Sequence, residues 1–204
     1  MTQGVENRLK SRRRIEPPIA LAVPSSGPMF ISPRAFWRLC AANRDMRLER
    51  TAQEALIVMW PTGSESGRLN MNLSVQIGVW VKQDGSGVAF DSSAGFTLPN
   101  GAVRAPDVSW SFKPRWAALT RKQSQKFAPI CPDFVAQLTS SSDFRADVHV
   151  KMKEYTEQGV RLGWLIDPVA VEVEIYRSGR LVELLKRPKT LSGEDVLPSF
   201  TLDL

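Results

Sequence analysis

Histidine and cysteine are scarce in this chain, and their scarcity excludes a good deal of chemistry. His149 is the only histidine among 204 residues, so a multi-histidine metal site within one chain is ruled out. No GxSxG elbow is present for His149 to serve, and it reads as an ordinary helix residue. The two cysteines, Cys40 and Cys131, lie among apolar neighbours at a spacing that fits no zinc knuckle, CxxC pair or disulfide framework. Two buried, reduced thiols are expected, as in an intracellular, cytoplasmic protein. Apolar runs such as ALIVMW at 55–60 are too short to cross a bilayer, so no membrane partner is expected. Basic residues near the start have no apolar segment behind them, which argues against a signal peptide. The glycines at 85, 87, 95 and 101 read as turn residues and do not make a nucleotide-cradling GxGxxG.

What remains is an ordinary globular composition with 43% apolar residues, enough for one sizeable core. The net charge is +6, and residues 1–20 supply half of it through Arg8, Lys10, Arg12, Arg13 and Arg14 against Glu6 and Glu16. A polyanion partner and a solvated basic tail both fit that distribution. Residues 1–28, with four prolines, read as a flexible leader, and residues 29–204 as the domain.

Ser32-Pro33 starts a short helix ending near Asn43, and Met46–Arg50 with Ala55–Trp60 forms a hairpin. Leu69, Leu73, Gln76, Ile77 and Trp80 line one side of a long helix over 64–82. Strands follow at 88–90, 95–98, 107–112 and 133–138, with a short Thr120-capped helix before the last of these. A helix from Ser142 places Phe144, Val148, Met152 and Tyr155 on one face and stops before Gly159. Strands at 162–166, 171–176 and 180–186 complete an α/β pattern, a mixed sheet flanked by helices.

Two Pro-Asp steps stand out, Pro106-Asp107 and Pro132-Asp133, followed by Lys151 on the predicted helix. An acid at the start of one strand, a polar residue inside the next and a nearby ammonium suit metal-assisted phosphodiester hydrolysis, because a hard cation takes oxygen ligands and lysine can hold water or phosphate. The residue inside the second strand is Gln137, where this chemistry prefers a carboxylate. Strand alternation sends Asp133, Val135 and Gln137 to one face. Asp133 and Gln137 are nonetheless about 13 Å apart along the strand, so one cannot stand in for the other. Lys151 has two readings, a surface pair with Asp147 at i, i+4 or a side chain leaning over the sheet towards Asp107 and Gln137. Trp110, Trp116 and Trp164 suit core packing better than base stacking. Tyr155 reads as a core residue with its hydroxyl satisfied, and Arg115, Arg121 and Lys122 as a solvated helix end.

The segments RLERTAQEALIVMWPTG (47–63), GVAFDSSAGFTLPNGAVRAPDVSW (87–110), FAPICPDFVAQLTSSSD (127–143), KMKEYTEQGVRLGWLIDP (151–168) and SGEDVLPSF (192–200) together resemble one family. It is the restriction-endonuclease family of unknown role within the PD-(D/E)XK nuclease superfamily. The resemblance implies a restriction-endonuclease-like core, Mg²⁺ or Mn²⁺ as cofactor, DNA as substrate and a homodimer. It matches the first metal-binding acid to Asp107, the second acidic position to Gln137, and a lysine displaced onto the next helix to Lys151. Asp107 and Gln137 would then be the metal ligands and Asp107, Gln137 and Lys151 the catalytic set. The family's Gly-Glu-Leu step reads Glu54-Ala55-Leu56 here, so its glutamate position holds Ala55, with Glu54 or Glu49 as possible compensation. A catalytically impaired relative that binds DNA or a protein partner is the alternative reading.

Overall fold

The computed structural model describes residues 27–59, 61–140 and 144–204. Helix α1 (Pro33–Ala42) is capped by Ser32, whose hydroxyl accepts from Ala35 N, with proline in the first turn. The hairpin β1 (Arg47–Arg50) and β2 (Leu56–Met59) follows, in antiparallel register with Glu49 opposite Ile57. Then come α2 (Ser64–Asp84), β3 (Gly87–Phe90), β4 (Phe96–Thr97), β5 (Val103–Arg104) and β6 (Val108–Phe112). Two short helices, α3 (Lys113–Ala117) and α4 (Arg121–Ser124), precede β7 (Phe134–Leu138), α5 (Arg145–Glu157), β8 (Leu162–Asp167) and β9 (Glu172–Arg177). The chain closes with β10 (Glu183–Lys186), β11 (Thr190–Ser192) and β12 (Thr201–Asp203).

The main sheet has six strands in the order β10-β9-β8-β7-β6-β3. Only β7 and β8 run parallel, and α5 provides the crossover that parallel neighbours need. A second sheet of four strands, β2-β1-β5-β4, carries the first hairpin, and β11 pairs with β12 separately. The expected mixed sheet flanked by helices is therefore present.

Alternation along β7 sorts the core into two layers. Phe134 and Ala136 face Leu73, Ile77 and Trp80 of α2, together with Trp110, Trp164 and Phe200. Val135 faces the other way, against Met152 and Tyr155 of α5, Leu165 and Tyr176. Each fully buried side chain such as Phe134 contributes about 1.5–3 kcal/mol relative to exposure. Trp110 and Trp164 are core residues, as their sequence context suggests. At Gly87 a side chain would run into the Trp110 ring 2.1 Å away, so the strand crosses this tryptophan only because the residue is glycine. A third cluster joins Phe36 and Leu39 of α1 to Leu48 and Val103 of the smaller sheet.

Several expectations need correction. Phe144 is exposed and does not share the packed face of α5 with Met152 and Tyr155. It occupies the N-cap position, one residue before the helical rotation that would turn it inward begins. The proposed start at Ser142, the end of the hairpin strand at Trp60 and the body of the leader fall outside the described residues. The Tyr155 hydroxyl is buried with no hydrogen-bond partner among the described residues, so it is not satisfied. Arg115 is not simply solvated, because its guanidinium donates to Asp133 Oδ1 at 2.7 Å and to the Cys131 carbonyl at 3.0 Å. The short strands β5, β11 and β12 and helix α3 carry too few residues for a period to show in sequence.

Candidate functional site

Asp107 immediately precedes β6, and the antiparallel register of β6 with β7 continues to place it beside Gln137. Its Oδ2 accepts from Gln137 Nε2 at 2.6 Å and from the backbone N–H of Leu138 at 2.9 Å. Arg47 Nη2 stands 3.5 Å from Oδ1. Both Asp107 and Gln137 are buried, and Gln137 Oε1 has no hydrogen-bond partner among the described residues. Burial pushes the Asp107 carboxyl above its ordinary range, although the Leu138 N–H, Lys151 and Arg47 pull against it.

Lys151 points inward from α5, so the surface pair with Asp147 does not form. Its Nζ donates to Glu49 Oε1 at 2.7 Å and to the carbonyl of Ala105 at 3.2 Å. Ala105 is two residues from Asp107, which brings Lys151 to the same corner as Asp107 and Gln137. An ammonium has three donors, so one remains for a ligand.

Glu49 is the residue that sequence reasoning undervalued. Alternation along β1 places Arg47 and Glu49 on one face and Leu48 on the other, where it joins the third apolar cluster. Glu49 Oε1 also accepts from Ala105 N at 2.9 Å, and Oε2 accepts from Arg104 Nη1 at 3.1 Å. Arg104 in turn reaches Glu154 of α5 at 2.5 Å. Burial alone would raise the Glu49 carboxyl, but Lys151, Arg104 and the Ala105 N–H outweigh it and hold it below the ordinary range. Of the two acids offered as compensation, Glu54 is exposed in the hairpin turn at φ 68° and pairs with Arg50. Ala55 also sits at that turn, bridged to Phe30. The acid delivered by the hairpin is therefore Glu49.

Asp133 takes no part. Its Oδ1 holds Arg115 and its Oδ2 accepts from Phe112 N at 2.8 Å, so the second Pro-Asp step braces β7 against the end of β6. His149 lies on α5 with Nε2 2.9 Å from Glu174 Oε1, away from these residues. Arg47, Arg104 and Glu154 carried no local signal in sequence. Their roles arise from contacts between elements far apart along the chain.

Among the described residues no three His, Cys, Asp or Glu side chains cluster as a metal site. Around Asp107 the hard donors are one carboxylate and the unpartnered amide oxygen of Gln137. Mg²⁺ keeps several of its waters and is held by one or two carboxylates, so Asp107 is the one charged ligand offered here, and the Gln137 amide turns Nε2 towards it. No helix among the described residues is long and apolar enough to cross a membrane.

The fold is shared with a solved structure of a putative nuclease belonging to DUF820 from Anabaena variabilis. The TM-score is 0.63 at 24% identity, over 77% of this chain and 86% of that one. Comparison with curated proteins gave no match. Residues 33–204 match the Uma2 family, described as putative restriction endonucleases, and the chain belongs to that family.

Proposed function

We propose that the protein is a PD-(D/E)XK-type endonuclease that hydrolyses DNA phosphodiester bonds with Mg²⁺ or Mn²⁺. The observation that carries this reading is a buried polar corner in which Gln137 donates to Asp107 while Lys151, bound to Glu49 and the Ala105 carbonyl, acts electrostatically on the Asp107 carboxyl. Asp107 and Gln137 would hold the cation. A bound ion would lower the pKa of its water and offset phosphate charge. Leu138 N–H fixes the Asp107 carboxylate in place, and the Gln137 amide donates to the same oxygen. Lys151, anchored by Glu49 and Ala105, directs its remaining N–H at the attacking water or a phosphoryl oxygen. Arg47, with Nη2 3.5 Å from Asp107 Oδ1 and Nε buried without a hydrogen-bond partner among the described residues, adds positive charge beside the corner. Cutting both strands of a duplex requires two such sites, which favours a homodimer.

One observation favours a weaker enzyme. The acids Glu49, Asp107 and Glu154 are already matched by Arg47, Arg104 and Lys151, and Gln137 adds no charge. A dication arriving here meets little excess negative potential, as expected of an impaired relative that only binds DNA.

Nicking of supercoiled plasmid across divalent metals tests the proposal. Wild type should nick in Mn²⁺ or Mg²⁺, and Asp107→Ala should not. Protein that stays folded and binds DNA, yet neither cuts nor takes up metal, would move the assignment to the binding reading.

A further inference from the structure

A cleft of about 860 Å³ opens between α1 and the segment around α3 and α4, and Arg47 and Ala105 belong to its lining. The cleft thus borders the backbone whose carbonyl takes Lys151 and the guanidinium that faces Asp107. A cavity of this size is in the range of small-ligand sites.

The walls are unusually aromatic for a space beside a polar site. On one side Trp37, 37% exposed, meets Phe127 edge-on at 5.4 Å. Lys126 holds its ammonium over the Trp37 ring, 4.9 Å from the centroid. On the other side Phe90 and Trp116 pair at 4.8 Å, both only partly buried. A purely structural cluster would close over these rings. Here their surfaces line an open cleft that reaches the Arg47 guanidinium, whose Nη2 stands 3.5 Å from Asp107 Oδ1.

Flat apolar faces next to a guanidinium match one chemical class, a base joined to its phosphate. In a stacked duplex the bases are not available to such walls, whereas every unpaired base offers a face. We propose that this cleft receives an unpaired nucleotide of a single-stranded or locally opened nucleic acid, with its base between the aromatic walls. Its phosphate lies towards Arg47, so the strand is led to the Asp107–Lys151 corner. The inference rests on the nuclease reading for its biological purpose, but its binding claim stands without cleavage.

The test is binding in chelator, where no metal-dependent cutting occurs, by fluorescence anisotropy of a short fluorescein-labelled oligothymidylate and of a hairpin duplex. Wild type should prefer the single strand and show quenching of tryptophan emission on binding. Trp37→Ala should weaken single-strand binding by about tenfold or more, in line with the loss of one stacking platform. Lys126→Ala, at the surface, should weaken it less and reduce its salt dependence. Thermal melts establish that both variants are folded, and Trp37→Phe, which keeps a ring, should recover most of the affinity. Equal affinity of wild type for both probes, or unchanged single-strand affinity in folded Trp37→Ala, overturns the proposal. Either result leaves the plasmid-nicking test of Asp107 intact, so the two readings fail separately.

Discussion

Lys151 Nζ lies 2.7 Å from Glu49 Oε1, joining α5 to β1 across 102 positions of sequence. Both groups are almost completely removed from water, with side-chain exposures of 10% and 2%. Such a pair adds little net stability over apolar packing, but removing one partner strands the other charge.

The first prediction concerns that asymmetry. Glu49→Gln should destabilise the fold by about 3–5 kcal/mol, since it leaves the Lys151 ammonium buried without its carboxylate, and Lys151→Met should cost less, because Glu49 keeps Arg104. The double variant should lose much less than the sum, because the two residues share one interaction. Urea unfolding of the four proteins measures this coupling, and strictly additive losses would show that the pair is not energetically linked.

A second prediction follows from the sign of the Glu49 shift. Its carboxyl is held below the ordinary value of 4.5, so its stabilisation is complete above that pH and disappears as pH falls through the lower folded value. The stability gap between wild type and Glu49→Gln should therefore be constant near neutrality and shrink on acidification below about pH 4.5. Asp107 has the opposite sign. Its raised carboxyl burdens the folded state when ionised, and Mn²⁺ affinity should begin to fall at a higher pH than an ordinary aspartate would give. Denaturant midpoints and calorimetric titrations across pH check the two halves independently.

The third concerns the missing charge at Gln137. Gln137→Glu should strengthen Mg²⁺ or Mn²⁺ binding and raise plasmid nicking, and adding Asp107→Ala should cancel both gains. Ala55→Glu should contribute little, because Ala55 sits in the hairpin turn while Glu49 already reaches the corner. A folded Gln137→Glu protein with no metal uptake would show that the corner is not a latent nuclease centre.

The fourth concerns the basic start of the chain. Removing residues 1–26 deletes half of the net charge of +6 and should weaken non-specific duplex binding with a shallower salt dependence. Binding titrations over a range of salt measure that slope, and an unchanged slope would exclude those residues from DNA contact.

Much of the scaffold was legible because it is written in local periods. Leu73, Ile77 and Trp80 mark α2, Ser32-Pro33 marks α1, and Phe134 and Val135 alternate as β7 requires. Asp107, Gln137 and Lys151 could be singled out because the motif spacing resembles a family. Glu49 was harder, since the glutamate step pointed to the turn at 54–56 and only the β1 face reveals which acid turns inward. Arg47 and Arg104 were invisible, because pairing between elements far apart along the chain leaves no trace in neighbouring residues. Lys151 had two consistent local readings, and its bonds to Glu49 and the Ala105 carbonyl exclude the surface pair with Asp147.

The corner of the site is shared between two sheets: Arg47 and Glu49 come from the small one, Asp107 and Gln137 from the large one with its helix. Glu49 and Arg104 meet α5 through Lys151 and Glu154, while Arg47 approaches Asp107 directly. Prising the hairpin away would dismantle the constellation while leaving the six-stranded body folded, and that partial opening requires less free energy than global unfolding. Amide hydrogens of β1 and β2 should accordingly exchange with solvent sooner than those of β7 and β8. On warming, the Glu49–Lys151 and Arg47–Asp107 contacts should be lost before the six-stranded body melts, so the seam between the sheets limits how far the corner stays assembled.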